Sequence, residues 1–257
     1  MLADRTTPKL RLVGGTEYYP VDIARASNCP LPGEQNFPSP PAMPASLLQM
    51  QLCLSASVVD LHDIANIILS DPGLTLQLLR LAARETGQST DAIAIGEIVV
   101  QLGVQKLRAL IAQTQPVPAH LKRPAGLSAC ERFWAHSRLT ALIAEELAGQ
   151  SSQCGSEITP EEAYLAGLLC RVGQLPTILG WAEDDPGSGE SPCIGYRMAK
   201  AWKLPIFLAN LIGSYGETTL IGESPALLHL VETADNWAQR IESLAASQTT
   251  RSESLVI

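Results

Sequence analysis

Apolar side chains recur every three or four residues along most of this chain, from about residue 45 onward, and this is the spacing of helices that bury one face. In ASLLQMQLCL, Leu47, Leu48, Leu52 and Leu54 roughly follow one side of the predicted helix. No stretch after the N-terminal segment alternates strictly between apolar and polar residues, as a half-buried strand would. The pattern therefore predicts an all-α domain.

Residues that favour helix ends divide this pattern into segments. Asp60 is a plausible N-cap for LHDIANIILS. Asp71-Pro72 ends that helix and begins another, because aspartate suits a cap and proline suits a first turn. We expect Gly87 to end the second helix, and Gly103 to separate two short helices that meet at a corner.

Capping boxes predict where two later helices begin. Ser128 and Glu131 have the spacing of a capping box, which predicts a helix over 128–149 that Gly149 ends. Thr159 and the acids after it begin the next helix by the same logic. Three further helical segments follow: CIGYRMAKAW, LPIFLANLIGSY and PALLHLVETADNWAQRIESLAA.

The two ends of the chain differ from this helical middle. Residues 28–45 hold six of the eighteen prolines, a density that excludes a helix or a central strand because proline fixes φ and lacks the amide donor. We expect 1–42 to be a mostly irregular extension with a proline-rich linker. The helical domain is expected over 43–245, and a flexible tail over 246–257.

Composition narrows the class of protein. With 257 residues, of which 46% are hydrophobic, the chain can bury a substantial core. A formal net charge of -8 argues against a broad basic surface, so we expect no nucleic-acid partner. No apolar run approaches the roughly 20 residues that span a bilayer, and the N-terminus lacks the apolar core of a signal peptide. We expect a cytoplasmic protein without a membrane partner.

The six cysteines have no close C-x-x-C pair, which argues against a zinc ribbon or finger. A chain of this length also needs no disulfide to stabilise it. We expect reduced thiols, packed mostly as small apolar side chains.

Five stretches of the chain occur in an order and an approximate spacing that are specific as a set: SDPGLTLQLLRLA, IGEIVVQLGVQKLRALI, ERFWAHSRLTALIAEELA, EEAYLAGLLCRVGQL and MAKAWKLP. Together they resemble the HDOD domain, a bacterial signalling module related to the HD phosphohydrolases, over roughly residues 42–240. The resemblance implies an all-helical domain with two helical subdomains. It also implies a role in signal transduction and regulation, with signalling proteins as partners.

The same resemblance locates the positions of a metal site. HD phosphohydrolases bind metal through a first histidine on a helix, a His-Asp pair on a later helix and an aspartate on the last helix. His136 of FWAHS matches the first histidine, and Asp235 of VETADNW matches the final aspartate. GLLCRVG aligns with the family's GLLHDIG, so Cys170 and Arg171 stand where the His-Asp pair would be.

These replacements argue against a working metal centre. A catalytic divalent ion needs several imidazole and carboxylate ligands, and only two remain. Arg171 adds a charge that is permanent and cannot act as a ligand. His136 and Asp235 both fall on apolar helix faces, so both should point inward. We expect Arg171 to pair with Asp235, with His136 nearby, and we expect no catalytic residue, metal or cofactor.

The sequence leaves other hypotheses open. The domain could be a metal-dependent phosphohydrolase or phosphodiesterase with a rebuilt site, for example one in which Cys170 and Cys193 join His136 and Asp235 around zinc. It could instead be a sensor for a nucleotide or another small ligand that Arg171 contacts. Cys170 could also be a reactive thiol, although that role requires exposure. The leading hypothesis is a regulatory domain that binds signalling proteins, with the N-terminal extension as a tether or a second contact.

Overall fold

The computed structural model describes residues 37–86, 94–121, 126–152, 158–181, 192–215 and 225–253. Residues 1–36 of the expected extension lie outside this range, as does Gly87. The helices, in chain order, are α1 (Pro44–Ser55), α2 (Leu61–Leu69), α3 (Pro72–Thr86), α4 (Ile95–Gln113), α5 (Gly126–Ser152), α6 (Pro160–Leu169), α7 (Leu175–Leu179), α8 (Pro192–Ala201), α9 (Ile206–Ser214) and α10 (Pro225–Glu253). Short 3-10 helices cover Val117–His120 and Val172–Gln174.

The helices form two groups that share one core. Helices α1 to α4 pack on one another, and α5, α6 and α10 form the centre of the second group, which α8 and α9 complete. Helix α3 also contacts α5 and so links the two groups. The described residues contain no strand, only an isolated parallel bridge between Ala42 and Pro116. The predicted all-α fold with two helical subdomains is therefore confirmed.

Most predicted helix signals are found where the sequence indicated. Asp60 caps α2, with its Oδ1 accepting a 2.8 Å hydrogen bond from the amide of His62. Thr159 and Glu162 form a complete capping box at the start of α6. Gly103 bends α4 with φ 71° and ψ 165°, a backbone conformation that favours glycine. These signals depend only on local backbone chemistry, which explains why the sequence carries them.

Two predictions for α5 are wrong. The helix begins at Gly126, so Ser128 lies inside it and cannot be its N-cap. Gly149 does not end it either, because α5 continues through Ser152. A glycine inside a helix costs about 1 kcal/mol relative to alanine. Ala144 and Ala148 on the same stretch of helix are buried in one cluster with Ala163 and Ala234, and this tertiary packing favours a helix that continues past Gly149.

The apolar face of α1 also differs from the predicted one. Leu47, Met50 and Leu54 are buried, whereas Leu48 and Leu52 are 57% and 64% exposed. The buried set follows the i, i+3, i+7 spacing of one helix face, and the sequence-based choice mixed two faces.

Both ends of the predicted domain are more ordered than expected. Ala42, placed in the extension, is fully buried and exchanges hydrogen bonds with Gln115 (3.1 Å) and Val117 (2.9 Å). Helix α10 continues to Glu253, so 246–253 are helical where a flexible tail was expected. The division into extension, domain and tail stays a prediction.

Helices α5 and α6 lie unusually close together. A Cβ on Gly167 would lie 2.9 Å from the Cα of Ala141 and 3.0 Å from the carbonyl oxygen of Thr140. Only glycine allows this separation of the two backbones. The end of α6 is thereby held against the turn of α5 that carries His136.

Candidate functional site

The four residues that match the HD site come together, although they lie far apart in sequence. His136 lies on α5, Cys170 and Arg171 directly follow α6, and Asp235 lies on α10. Because α5, α6 and α10 pack on one another, their side chains meet in one cluster. His136 and Asp235 are both buried, as their apolar helix faces predicted.

Arg171 and Asp235 form a bidentate ion pair. The Nε of Arg171 donates to Oδ1 of Asp235 at 2.6 Å, and Nη2 donates to Oδ2 at 2.6 Å. The guanidinium therefore matches the plane of the carboxylate with two parallel hydrogen bonds, the strongest geometry for this type of pair. The predicted Arg171–Asp235 contact is confirmed.

His136 bridges two carboxylates of α10. Its Nε2 lies 2.7 Å from Oδ1 of Asp235, and its Nδ1 lies 3.0 Å from Oε2 of Glu242. With both ring nitrogens facing carboxylate oxygens, the doubly protonated imidazolium is the form that can donate to each of them. The hydrogen bond that His136 donates to Asp235 accordingly raises the pKa of His136, although burial opposes the shift.

The ionised form of Asp235 is strongly favoured. Burial alone would raise its pKa, but hydrogen bonds from His136, Arg171 and Tyr215 hold the pKa well below its ordinary value. Gln239 adds a further hydrogen bond, with Nε2 2.7 Å from Oδ2. The Asp235 carboxylate thus accepts hydrogen bonds from four side chains and stays ionised although it is buried.

Three members of this cluster were not predicted: Tyr215, Gln239 and Glu242. Gln239 and Glu242 lie four and seven residues after Asp235 on the same helix, so helical spacing could have indicated both. Tyr215 follows α9, and its ring lies beneath the guanidinium of Arg171, with Cζ 5.8 Å from the ring centroid. No local signal places Tyr215 there, because its position depends on how α9 packs.

Cys170 does not have the surroundings of a reactive thiol. Its side chain is buried, and its Sγ donates to the carbonyl oxygen of Gly167 at 3.3 Å. Burial and the charge of Asp235 raise its pKa well above the ordinary value for cysteine, so the thiol stays protonated at neutral pH. The alternative zinc ligand Cys193 has a side chain outside the described part of the structure.

The donor set of this cluster does not fit a divalent metal. The oxygens of Asp235 are both held by Arg171, and both nitrogens of His136 face carboxylates. A metal here would have to displace the guanidinium and would gain only a protonated thiol from Cys170. Among the described residues, no group of three or more His, Cys, Asp and Glu side chains has a metal-binding arrangement.

Comparisons with known proteins place the chain in a structural context. The HDOD domain family matches residues 41–185. Two crystal structures of the MmoQ response regulator from Methylococcus capsulatus are similar at 16% identity. One has a TM-score of 0.57 and covers 82% of this chain and 90% of that chain; the other has a TM-score of 0.56 and covers 78% and 84%. This similarity shows a shared fold.

A crystal structure of an HDOD domain protein with unknown function from Geobacter sulfurreducens shares 24% identity. The alignment covers 77% of this chain and 72% of that chain, with a TM-score of 0.34. No protein with a curated description matches the chain.

None of the helices in the described residues combines the length and the apolar composition that a membrane span requires.

Proposed function

The chain belongs to the HDOD domain family, and we propose that it is a non-catalytic regulatory domain of signal transduction that binds protein partners and has lost the metal site of the HD phosphohydrolases. The bidentate pair between Arg171 and Asp235 carries this proposal. Under this proposal, the guanidinium is a permanent cation at the position that the family resemblance assigns to a metal, and it occupies the carboxylate that would be a ligand.

Two observations support the regulatory part of the proposal. The solved structures of similar fold belong to a protein described as a response regulator. Helix α10 also exposes an apolar stripe, in which Trp237, Ile241 and Leu244 are 49%, 48% and 62% exposed. Their i, i+4, i+7 spacing puts three large apolar side chains on one helix face, an arrangement suited to contact with another protein.

The experiment that tests the proposal restores the missing His-Asp pair. Metal content is measured by elemental analysis in the wild-type protein and in the double variant Cys170→His/Arg171→Asp, both purified untagged in the presence of Mn²⁺. We expect metal well below one equivalent in the wild type and a marked gain in the double variant, because four of the family's ligand positions are then filled. Hydrolysis of a phosphodiester probe should be absent from the wild type.

The rival hypothesis of a metal-dependent phosphohydrolase makes the opposite prediction. It requires about one equivalent of metal in the wild type, lost in both His136→Ala and Asp235→Ala, together with turnover of the phosphodiester. That result would overturn the proposal and would mean that the Arg171–Asp235 pair opens when metal binds. The exposed Asp63→Ala variant serves as the control for nonspecific loss of metal.

A further inference from the structure

A second concave site lies in the N-terminal group of helices, away from the cluster around Asp235. It is a groove of about 310 Å³ between α3 and α4. The residues that matter for its chemistry are Arg80, Leu81 and Arg84 with Glu85 on α3, and Lys106 and Leu110 on α4. Its volume is at the lower end of the range of roughly 300–1,000 Å³ typical of small-molecule sites.

The groove is positively charged, although the whole chain carries a net charge of -8. Three of its charged side chains are basic and one is acidic. The acid Glu85 pairs with Lys106, so it is already neutralised. Neither Arg80 nor Arg84 forms an ion pair with a carboxylate of the described residues. Within the described residues, two positive charges therefore remain without a matching carboxylate.

Arg80 and Arg84 are four residues apart on one helix, which places them on the same face. Like charges at this spacing repel each other, and nothing in the helix itself requires two arginines there. Burial and the charge of Arg84 lower the pKa of Arg80 to about 10, yet the guanidinium remains protonated at neutral pH. An anion bound between the two side chains would relieve this repulsion.

The guanidinium of Arg80 is also held in place. Its Cζ lies over the ring of Trp202 at 5.7 Å from the centroid, and Trp202 is itself buried. This cation–π contact orients the group but satisfies none of its N–H donors. A guanidinium fork that is held in place beside a second arginine is the arrangement that recognises a phosphate group.

We infer that the groove binds the phosphate of a small phosphate monoester between Arg80 and Arg84. A phosphate monoester carries close to two negative charges at neutral pH, which matches the two positive charges of Arg80 and Arg84. Leu81 and Leu110 line the groove and provide an apolar surface that the organic part of the ligand can contact. The volume restricts that part to the size of a sugar or a nucleoside. This inference does not depend on the loss of the metal site.

The test is titration calorimetry on the full chain at low salt, with a nucleoside monophosphate as the probe. The unphosphorylated nucleoside and inorganic phosphate are titrated in parallel. We expect saturable binding of the monophosphate at one equivalent, weaker binding of inorganic phosphate and none of the nucleoside. Added salt should weaken the binding, because ion pairs with a phosphate are screened.

Variants distinguish a specific phosphate site from nonspecific attraction of the anion to positive charge. Arg84→Gln should weaken binding by about tenfold or more, since it removes a charge-assisted hydrogen bond. Arg80→Lys keeps the charge but loses the planar fork, and it should also weaken binding. Arg132→Gln removes an exposed charge on α5 outside the groove and is the matched control, with affinity unchanged.

Three results would overturn the inference. The first is the absence of saturable heat with the monophosphate. The second is equal binding of the nucleoside and its monophosphate, which would exclude phosphate recognition. The third is an equal loss of affinity in Arg84→Gln and Arg132→Gln, which would mean that the net charge of the protein, and not the groove, explains the binding. Thermal unfolding of each variant, without ligand, checks that the fold is intact.

Discussion

Two buried aspartates in this protein are stabilised in different ways. Within the described part of the chain, the hydrogen-bond partners of Asp71 are neutral. Its Oδ2 accepts from the amide of Met43 at 2.9 Å, and its Oδ1 accepts from the amides of Gly73 and Leu74 at 2.8 and 3.1 Å and from the indole of Trp134 at 3.0 Å, and the side chain of Ser46 adds a further hydrogen bond. Asp235 instead accepts from the cation Arg171 and from the imidazole of His136.

The difference shows what each carboxylate contributes. Asp71 caps α3 and joins α5 to the start of α1, so it organises the backbone of the fold. Asp235, on α10, joins the side chain of His136 on α5 to that of Arg171 after α6, at the position that the family resemblance assigns to a metal site. Among the described residues, the donors to Asp235 are side chains that include a guanidinium, whereas three of the donors to Asp71 are backbone amides. In our proposal, Arg171 supplies the positive charge that a metal supplies in the related enzymes.

Removing the carboxylate from the charged cluster should have the largest effect. Asp235→Ala leaves the guanidinium of Arg171 and the imidazole of His136 without their shared partner. We expect the free energy of unfolding to fall by about 3–5 kcal/mol, which is typical when one member of a buried ion pair is removed. Urea denaturation followed by far-ultraviolet circular dichroism measures the change.

The control for this variant also removes the cation. Asp235→Ala/Arg171→Met exchanges the pair for apolar groups, so it should recover much of the stability lost in the single variant. Wild-type stability of Asp235→Ala would show that the pair has no structural role. That outcome would also remove the main support for Arg171 as a structural replacement for metal.

A change at Asp71, whose hydrogen-bond donors are neutral, should lower the stability by less than a change at Asp235. Asp71→Asn keeps one acceptor for the amides of α3 but turns a donor toward the amide of Met43. We expect a fall of about 1–3 kcal/mol in the free energy of unfolding, the cost of leaving a buried donor unsatisfied. The same denaturation experiment measures it.

Asp60→Asn is the matched control, because Asp60 is an exposed N-cap. Asparagine caps helices about as well as aspartate, so this change should lie within about 0.5 kcal/mol of the wild type. If Asp71→Asn were as mild as Asp60→Asn, the amide of Met43 would have another way to satisfy its hydrogen bond, and the described role of Asp71 would be wrong.

The sequence predicts most of this fold because its helix boundaries depend on local chemistry. Asp60, Asp71 and Thr159 cap helices through amides a few residues away, and these contacts are visible as short motifs. The predictions that were wrong depend on tertiary packing. Gly149 lies inside α5 and does not end it. Leu48 lies outside the core, because the neighbouring helices determine which face of α1 is buried.

The candidate site was predictable in part, for a similar reason. The contact between Arg171 and Asp235 followed from the family resemblance and from the cost of a buried carboxylate without a partner. Glu242 shares the helix of Asp235 and could have been found by spacing. Tyr215 and the arginines of the groove could not be assigned roles, because the packing of α9 and the separation of α3 and α4 place them.

The smallest expected effect concerns pH and distinguishes the two clusters directly. The pKa of His136 is raised in the folded protein, mainly by its hydrogen bond to Asp235 and further by Glu242, while burial and the charge of Arg171 oppose the shift. Tyr215, which also contacts Asp235, stays neutral because burial raises its pKa. A raised folded pKa means that stabilisation is complete below the unfolded value of about 6.5 and is lost as pH rises through the folded value.

The free energy of unfolding should therefore decline as pH rises above about 6.5, by less than the cost of Asp71→Asn because the opposing causes partly cancel. Denaturation of the wild type and of His136→Gln between pH 5.5 and pH 9, within the ordinary titration range of histidine, measures this decline. His136→Gln should remove this decline. Asp71→Asn leaves His136 and both of its carboxylate partners unchanged, so any part of the decline that this variant removes belongs to Asp71, whose pKa is raised by burial. A decline that persists unchanged in His136→Gln would assign it to another group and would mean that His136 stays neutral between its two carboxylates.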